Sequence, residues 1–159
     1  MAVIALLLSA AAVVIDQALK SLVLQNLKPI GKITVIPGFL DFFYLENRGA
    51  AFGMLQNQRW FFIVMILVIS AAIIIMLFRY THHDFFSYTA SILIVGGGIG
   101  NLIDRIRYGF VVDYISVSFF PPIFNFADCC VTVGAVCLII HFLFTSGSDR
   151  KGEQVIRRR

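Results

Sequence analysis

Two aspartates, Asp113 and Asp128, lie in apolar sequence on either side of a connection that is too short to cross a membrane. A carboxylate in such surroundings is costly, so it marks a functional site by default. Two carboxyl groups that share one site cannot both ionise easily, so one activates a water molecule while the other, still protonated, polarises a carbonyl group. The pair therefore predicts hydrolysis by an aspartyl mechanism.

The composition places these acids in a membrane protein. The chain has 159 residues, of which 59% are hydrophobic and 14% charged, and its mean hydropathy of +0.88 is far above that of a soluble domain. Four apolar runs have the length of about 20 residues that a bilayer crossing requires. The predicted fold is an all-α membrane protein, a single domain over residues 1–159 with both termini on one side. The predicted transmembrane helices cover residues 1–24, 60–78, 85–103 and 125–145.

The long segment between the first two spans, residues 28–59, has a different pattern. Residues 32–36 and 42–45 are short β-like runs, and a Pro-Gly break separates them. This pattern predicts a small extracytoplasmic β-sheet that lies on the membrane surface. The small residues Gly49, Ala50, Ala51 and Gly53 suggest the hinge of a mobile cover over a site.

The distribution of basic residues predicts the orientation of the four spans. The tail at residues 149–159 is rich in Arg and Lys, which places both termini in the cytoplasm. Asp16 then lies about 23 Å along the first helix, at 1.5 Å per residue, in its outer half. Asp104 ends the third span and Asp128 begins the fourth. We therefore expect four acids to converge on the extracytoplasmic face: Asp16, Asp104, Asp113 and Asp128.

The net charge of +4 comes from this tail and from arginines beside the spans. It favours contact with anionic lipid headgroups over nucleic acid. The three cysteines, Cys129, Cys130 and Cys137, lack the spacing of a disulfide framework or a metal site. Since the sequence also lacks an HExxH motif or another ligand spacing, we expect neither a metal nor an organic cofactor.

Five segments resemble the five motifs of the bacterial lipoprotein signal peptidase, signal peptidase II, an aspartyl peptidase family. The motifs occur in the order of the family and extend over most of the chain, so the resemblance is highly specific. The segments are Asp16-Gln17-Ala18-Leu19-Lys20, Glu46-Asn47-Arg48-Gly49-Ala50-Ala51-Phe52-Gly53, Gly96-Gly97-Gly98-Ile99-Gly100-Asn101-Leu102-Ile103-Asp104-Arg105, Val112-Asp113-Tyr114-Ile115 and Phe124-Asn125-Phe126-Ala127-Asp128.

The resemblance implies a membrane aspartyl endopeptidase of the bacterial cytoplasmic (inner) membrane. Such an enzyme removes the signal peptide from prolipoproteins just before the cysteine that carries a diacylglyceryl group. Its implied partners are these substrates and membrane lipids, and we expect a monomer. By motif, Asp113 and Asp128 match the catalytic dyad.

The remaining motif positions imply supporting roles. Asn47 and Arg48 match the outer loop that contacts substrate. The spacing of Asp16 and Lys20 also suits a helical ion pair, which favours structural support over chemistry for these two. Residues that match the polar lining or support of the site are Asn101, Asp104, Arg105 and Asn125.

Two other function classes are open to test. A small proton-coupled transporter component would use the acids as a relay, but it predicts polar residues through the bilayer, and the second span has only Ser70. A presenilin-type protease would need Gly-x-Gly-Asp, whereas Gly98-Ile99-Gly100 is followed by Asn101. His141, in the fourth span, is interpreted as a packed polar residue without a partner motif.

Overall fold

The computed structural model describes residues 1–49, 54–80 and 83–156, with side chains as far as residue 144. Within them lie four helices, each containing a segment long and apolar enough to cross a membrane. The four predicted spans are thereby confirmed. The helices are α1 (Ala2–Leu22), α2 (Arg59–Arg79), α3 (Phe85–Arg107) and α4 (Phe126–Ile156), and α1 continues as a π-helix through Val23–Leu27. The strands are β1 (Lys32–Ile36), β2 (Leu40–Asn47), β3 (Val111–Val117) and β4 (Phe120–Phe124).

Helices α3 and α4 extend furthest past their predicted ends. Helix α3 continues four residues beyond the expected boundary at 103 and is followed by a turn in which Gly109 has a φ of +81°. Helix α4 runs through the expected boundary at 145 to Ile156, so most of the predicted basic tail is helical, while residues 157–159 lie outside the described part. The reason is that hydropathy detects the edge of the bilayer, whereas a helix satisfies its own backbone hydrogen bonds in water as well.

The strands form one antiparallel sheet in the order β1-β2-β3-β4. The prediction of a small sheet between the first two helices is confirmed, and β1 matches the predicted run. However, β3 and β4 come from the connection between α3 and α4, where the sequence analysis assigned no strand. Strand β3 begins with a buried apolar run that lacks a period-two pattern. Strand β4 contains Pro121 and Pro122, which are tolerated at the edge position that it occupies in the sheet.

Helix α3 lies at the centre of the bundle and packs against each of the other three helices. In the most apolar 18-residue segment of α3, 56% of the residues are buried. The corresponding segments of the first, second and fourth spans have 17%, 28% and 22% of their residues buried. The outward faces of those three helices carry exposed large side chains such as Leu7, Val68 and Leu143. In a bilayer such faces contact acyl chains, which are as apolar as leucine.

Three consecutive glycines, Gly96, Gly97 and Gly98, allow the neighbouring helices to pack closely against α3. A Cβ atom on Gly96 would lie 3.0 Å from the Ser9 carbonyl oxygen of α1, and one on Gly97 would lie against the Ala127 carbonyl oxygen of α4. A Cβ atom on Gly98 would face α2 at an ordinary contact distance of 3.4 Å. Because successive helical residues point about 100° apart, this run removes side chains on three sides of one helix.

This packing predicts opposite effects for two adjacent substitutions. Gly97→Ala should destabilise the protein by about 1–3 kcal/mol, because the new methyl group meets backbone that cannot move aside. Gly98→Ala should leave stability unchanged or slightly raised, because the methyl group finds room and alanine favours the helix. Thermal unfolding in detergent micelles measures both. Equal melting midpoints for the two variants would contradict this account of the helix contacts.

Candidate active site

A buried ammonium group lies at the end of the bundle where α3 meets the sheet. Lys20 Nζ contacts Asp16 Oδ2 at 2.9 Å, Asp104 Oδ2 at 3.0 Å and Asn101 Oδ1 at 2.8 Å. Its three N–H donors thus have three oxygen partners. The lysine and both aspartates have at most 2% of their surface exposed. The predicted ion pair between Asp16 and Lys20 is confirmed, and Asp104 joins it.

Backbone groups complete the coordination of these two carboxylates. The Ala127 N–H donates to Asp16 Oδ1 at 3.1 Å, and the Val112 N–H donates to Asp104 Oδ2 at 3.0 Å. Gln17, which the sequence analysis did not assign, donates to Asp104 Oδ1 at 3.0 Å. Buried charges are tolerated only when they are paired and hydrogen-bonded in this way. The cluster therefore ties α1, α3, β3 and α4 to one another.

Next to this cluster lie the two aspartates of the predicted dyad. Asp113 accepts hydrogen bonds from Asn125 Nδ2 at 2.6 Å and from Asn47 Nδ2 at 2.8 Å, one on each carboxylate oxygen. Asp128 accepts from Asn101 Nδ2 at 2.8 Å and from the Asn125 N–H at 3.0 Å. Asn125, which is fully buried, thus contacts both acids and holds them in one site.

Four separate elements supply these side chains. Asp113 lies on β3 opposite Leu45 of β2, and this register carries Asn47 at the end of β2 to the same site. Asn125 and Asp128 begin α4 as a reciprocal capping pair, because the Asp128 N–H also donates to Asn125 Oδ1 at 2.9 Å. The four acids expected at one face are therefore brought to one end of the bundle.

The orientation of each asparagine amide is fixed by a group that can only donate. Asn47 Oδ1 accepts from the Gly49 N–H at 2.9 Å, Asn101 Oδ1 accepts from Lys20, and Asn125 Oδ1 accepts from the Asp128 N–H. Each amide nitrogen must then point toward an aspartate. All four dyad oxygens consequently receive a donor.

The dyad has a proton available near neutral pH. Burial, together with the negative charge of Asp128, raises the pKa of Asp113 to about 7. An ordinary aspartate has a pKa of about 3.9 and would be fully ionised there. A carboxyl group with a pKa near the working pH is suited to give and take protons during a reaction.

The two arginines of the motifs lie in different places. The Arg105 guanidinium lies 4.7 Å from the centre of the Phe62 ring and donates to the Asn101 and Gly49 carbonyl oxygens, each at 3.3 Å. Arg48 instead pairs with Glu46 at 3.1 Å, with 52% of its side chain exposed. The structure thus brings Arg105 to the site and leaves Arg48 on the outside.

The loop after β2 was interpreted as a hinge. A Cβ atom on Gly49 would lie 2.5 Å from the Met54 carbonyl oxygen, so a close approach of backbone explains this glycine. The other predicted hinge residues, Ala50, Ala51 and Gly53, lie outside the described residues.

A cleft of about 730 Å³ opens onto the dyad. Its polar end is formed by Asp113, Asp128, Asn47, Asn101 and Arg105. Its walls are apolar and come from two membrane-spanning helices and an edge strand. The wall residues include Phe62, Met65 and Ile66 of α2, Phe120, Ile123 and Phe124 of β4, and Val131 and Val133 of α4. The cleft therefore suits a ligand with apolar chains attached to a polar group.

At the opposite end of α3, His141 has a partner that the sequence analysis did not foresee. His141 Nδ1 lies 2.9 Å from Asp84 Oδ1, and Asp84 also caps α3 by accepting from the Ser87 N–H at 2.7 Å. His141 is buried, in agreement with its interpretation as a packed polar residue, and Asp84 is the partner that holds it. The two residues are far apart in sequence, so no local spacing indicates the contact.

Comparison with known proteins places this geometry in a family. The family model described as signal peptidase (SPase) II matches residues 8–144 of the chain. The chain belongs to the signal peptidase II family. The lipoprotein signal peptidase of Caldanaerobacter subterraneus is 44% identical over 90% of this chain and 98% of its own length. The lipoprotein signal peptidase of Symbiobacterium thermophilum is 39% identical over 94% of this chain and 98% of its own length.

Solved structures agree with this membership. One is a bacterial membrane enzyme solved by the in meso method at 2.3 Å resolution, which superposes on this chain with a TM-score of 0.82 at 32% identity. The superposition covers 91% of this chain and 90% of that enzyme's chain. A second, at 1.9 Å, has a TM-score of 0.77 at 34% identity, with coverages of 87% and 92%. The chain is therefore a multi-pass membrane peptidase, as the motif resemblance predicts.

The buried ammonium cluster generates a test of stability. Lys20→Met should destabilise the protein by about 3–5 kcal/mol, because it leaves two buried carboxylates without their shared cation. The matched control is Lys32→Met, which removes an ion pair with Asp41 of 2.8 Å on the exposed sheet. It should cost no more than about 1 kcal/mol. Denaturant titration in mixed micelles compares the two, and similar losses would refute the structural role of Lys20.

Proposed function

We propose that this protein is an aspartyl endopeptidase that cleaves prolipoproteins just before the diacylglyceryl-modified cysteine, with Asp113 and Asp128 as its catalytic residues. One observation carries the proposal. Two buried aspartates share Asn125 as a hydrogen-bond partner at the polar end of an apolar cleft. The curated relatives at 39–44% identity are named lipoprotein signal peptidases, which supports the substrate class.

The reaction needs one ionised and one protonated carboxyl group. The ionised aspartate takes a proton from water as the water oxygen bonds to the scissile carbonyl carbon. The protonated aspartate gives its proton to the carbonyl oxygen, which forms a tetrahedral gem-diol. When this collapses, a proton passes to the cysteine nitrogen and the C–N bond breaks. The products are the free amine of the lipidated cysteine and the carboxyl terminus of the signal peptide.

The other polar residues act through the dyad. Asn101, Asn125 and Asn47 hold the two carboxyl groups by the hydrogen bonds described above. Arg105 lines the cleft, where its guanidinium is expected to bind a substrate carbonyl or a lipid phosphate. Asp16, Lys20 and Asp104 support the frame in which these residues lie.

The shape of the cleft supports a lipidated substrate. Two of its walls, on α2 and α4, belong to helices whose outer faces are apolar. Acyl chains and the apolar part of a signal peptide gain free energy by burying their surface against such walls. The polar end then receives the peptide bond beside the lipidated cysteine. Membrane lipids are expected to occupy the same walls when substrate is absent.

We place the site at the extracytoplasmic face of the cytoplasmic membrane, with both termini in the cytoplasm. The basic residues of the C-terminal tail support this orientation. We further propose that the chain acts as a single domain and as a monomer. The proton-coupled transporter is not favoured, because the family match is to a peptidase and the buried acids of the dyad and the Lys20 cluster gather at one end of the bundle.

The dyad is tested by two substitutions and a control. Asp113→Asn and Asp128→Asn should each lower kcat by at least about 10²–10⁴-fold, because each removes a proton-transferring group. Both proteins should remain in the membrane at normal level. Asp41→Asn, on the exposed sheet, should retain full activity. Cleavage of a diacylated prolipoprotein peptide by purified enzyme is the measurement, and substantial turnover by either dyad variant would exclude the aspartyl mechanism.

The orientation is tested by labelling single cysteines in a cysteine-free background. Cysteines at Arg107 and Ser118, both exposed at the sheet end of the bundle, should react in intact spheroplasts with a membrane-impermeant maleimide. A cysteine at Tyr80, exposed at the other end, should react only after the membrane is opened. The reverse pattern would place the site on the cytoplasmic side.

A further inference from the structure

The two catalytic aspartates are held by donors of different electrostatic character. Asp128 Oδ2 accepts from the Asn125 N–H, one of the free backbone donors at the first turn of α4. The partial positive charge of a helix N-terminus favours a carboxylate at this position. Both side-chain partners of Asp113 are instead amides of asparagine residues, and Asp113 lies on a strand, which has no comparable dipole.

The second donor to Asp128 is connected to a cation. Lys20 Nζ donates to Asn101 Oδ1 at 2.8 Å, and the same amide donates from Nδ2 to Asp128 Oδ1 at 2.8 Å. A charge on one side of an amide polarises the hydrogen bond on its other side, and chains of hydrogen bonds strengthen one another in this way. The ammonium group thus acts on Asp128 through one intervening side chain.

The remaining charges around the dyad do not reverse this difference. Asp16 and Asp104 both contact Lys20 directly, so the ammonium group offsets their negative charges at the dyad. The Arg105 guanidinium lines the same cleft as both dyad members, so its positive charge acts on the pair. Each of these charges is contributed by α1 or α3, the helices that pack beside the first turn of α4.

From this geometry we infer that Asp128 is the ionised general base and Asp113 the protonated acid at the start of each turnover. The inference rests on the proposed function and adds the direction of proton flow. Asp128 takes the proton from water, and Asp113 gives its proton to the scissile carbonyl oxygen. Lys20 is a positioning residue that acts on the base through Asn101. Because burial and Asp128 raise the pKa of Asp113 to about 7, the acid is protonated below that pH.

The ionisation order can be measured without substrate. Enzyme carrying ¹³Cγ-labelled aspartate, purified in micelles, is titrated from pH 4 to 9 by NMR, and the Asp113→Asn and Asp128→Asn variants assign the two signals. We expect the Asp128 carboxyl carbon to show the ionised shift first and Asp113 to titrate last, near pH 7. Ionisation of Asp113 before Asp128 would overturn the inference.

Two matched variants test the same order by kinetics. Asn101→Ala and Asn47→Ala each remove one side-chain donor from one aspartate, so each should raise the midpoint of that aspartate by about one pH unit. In the pH profile of kcat/KM, Asn101→Ala should shift the acidic limb to higher pH. Asn47→Ala should shift the alkaline limb to higher pH. The assignment would be contradicted if each variant shifted the limb expected for the other. It would also be contradicted if both variants lost rate while neither limb shifted.

The outcomes also separate this inference from the proposed function. If the wild-type enzyme cleaves a diacylated peptide and Asp113 ionises first, the peptidase stands and only the assignment fails. If the wild-type enzyme cleaves no lipidated peptide, the proposed function fails, and the roles of base and acid fail with it.

Discussion

The requirement that buried charges find partners governs the whole of this molecule. Lys20, Asp16 and Asp104 are enclosed at the end of an apolar bundle, where an unpaired charge would cost several kcal/mol. Their partners come from α1, α3, the start of β3 and the start of α4. Secondary structure elements that are distant in sequence must therefore meet at one point, and the dyad is built directly beside it.

The close packing of α3 follows from the same requirement. The short side chains of Asp16 and Asn101 reach their partners only if the helices that carry them nearly touch, and Gly100 leaves the space that Asp16 occupies. A Cβ atom at Gly100 would lie 2.5 Å from Asp16 Oδ2. The glycine motif, which reads in sequence as a packing device, thus has an electrostatic purpose as well. The small residues allow the close helix packing on which the buried ion pairs depend.

Much of this arrangement is visible in the sequence, since hydropathy, i,i+4 spacing and motif order are local properties. They predict the four spans, the Asp16–Lys20 pair, strand β1 and the residues that meet at the dyad. The contacts that escaped prediction depend on tertiary structure. The Gln17 contact needs the register of α1 on α3, and the His141–Asp84 pair joins the interior of α4 to the N-cap of α3. Strand β3 escaped because a strand buried on both faces has no alternation to detect.

Helix α2 differs from the other three in what it contributes. Its side chains Phe62, Met65 and Ile66 form a wall of the cleft, while the hydrogen bonds described for the dyad and the Lys20 cluster come from the other helices and the sheet. Apart from Phe62, which packs against the Arg105 guanidinium, residues of α2 can therefore change without disturbing the reacting groups. As they do, the width and depth of the cleft change, and with them the range of substrates that fit. The enzyme can in this way diversify its substrates while its chemistry stays constant.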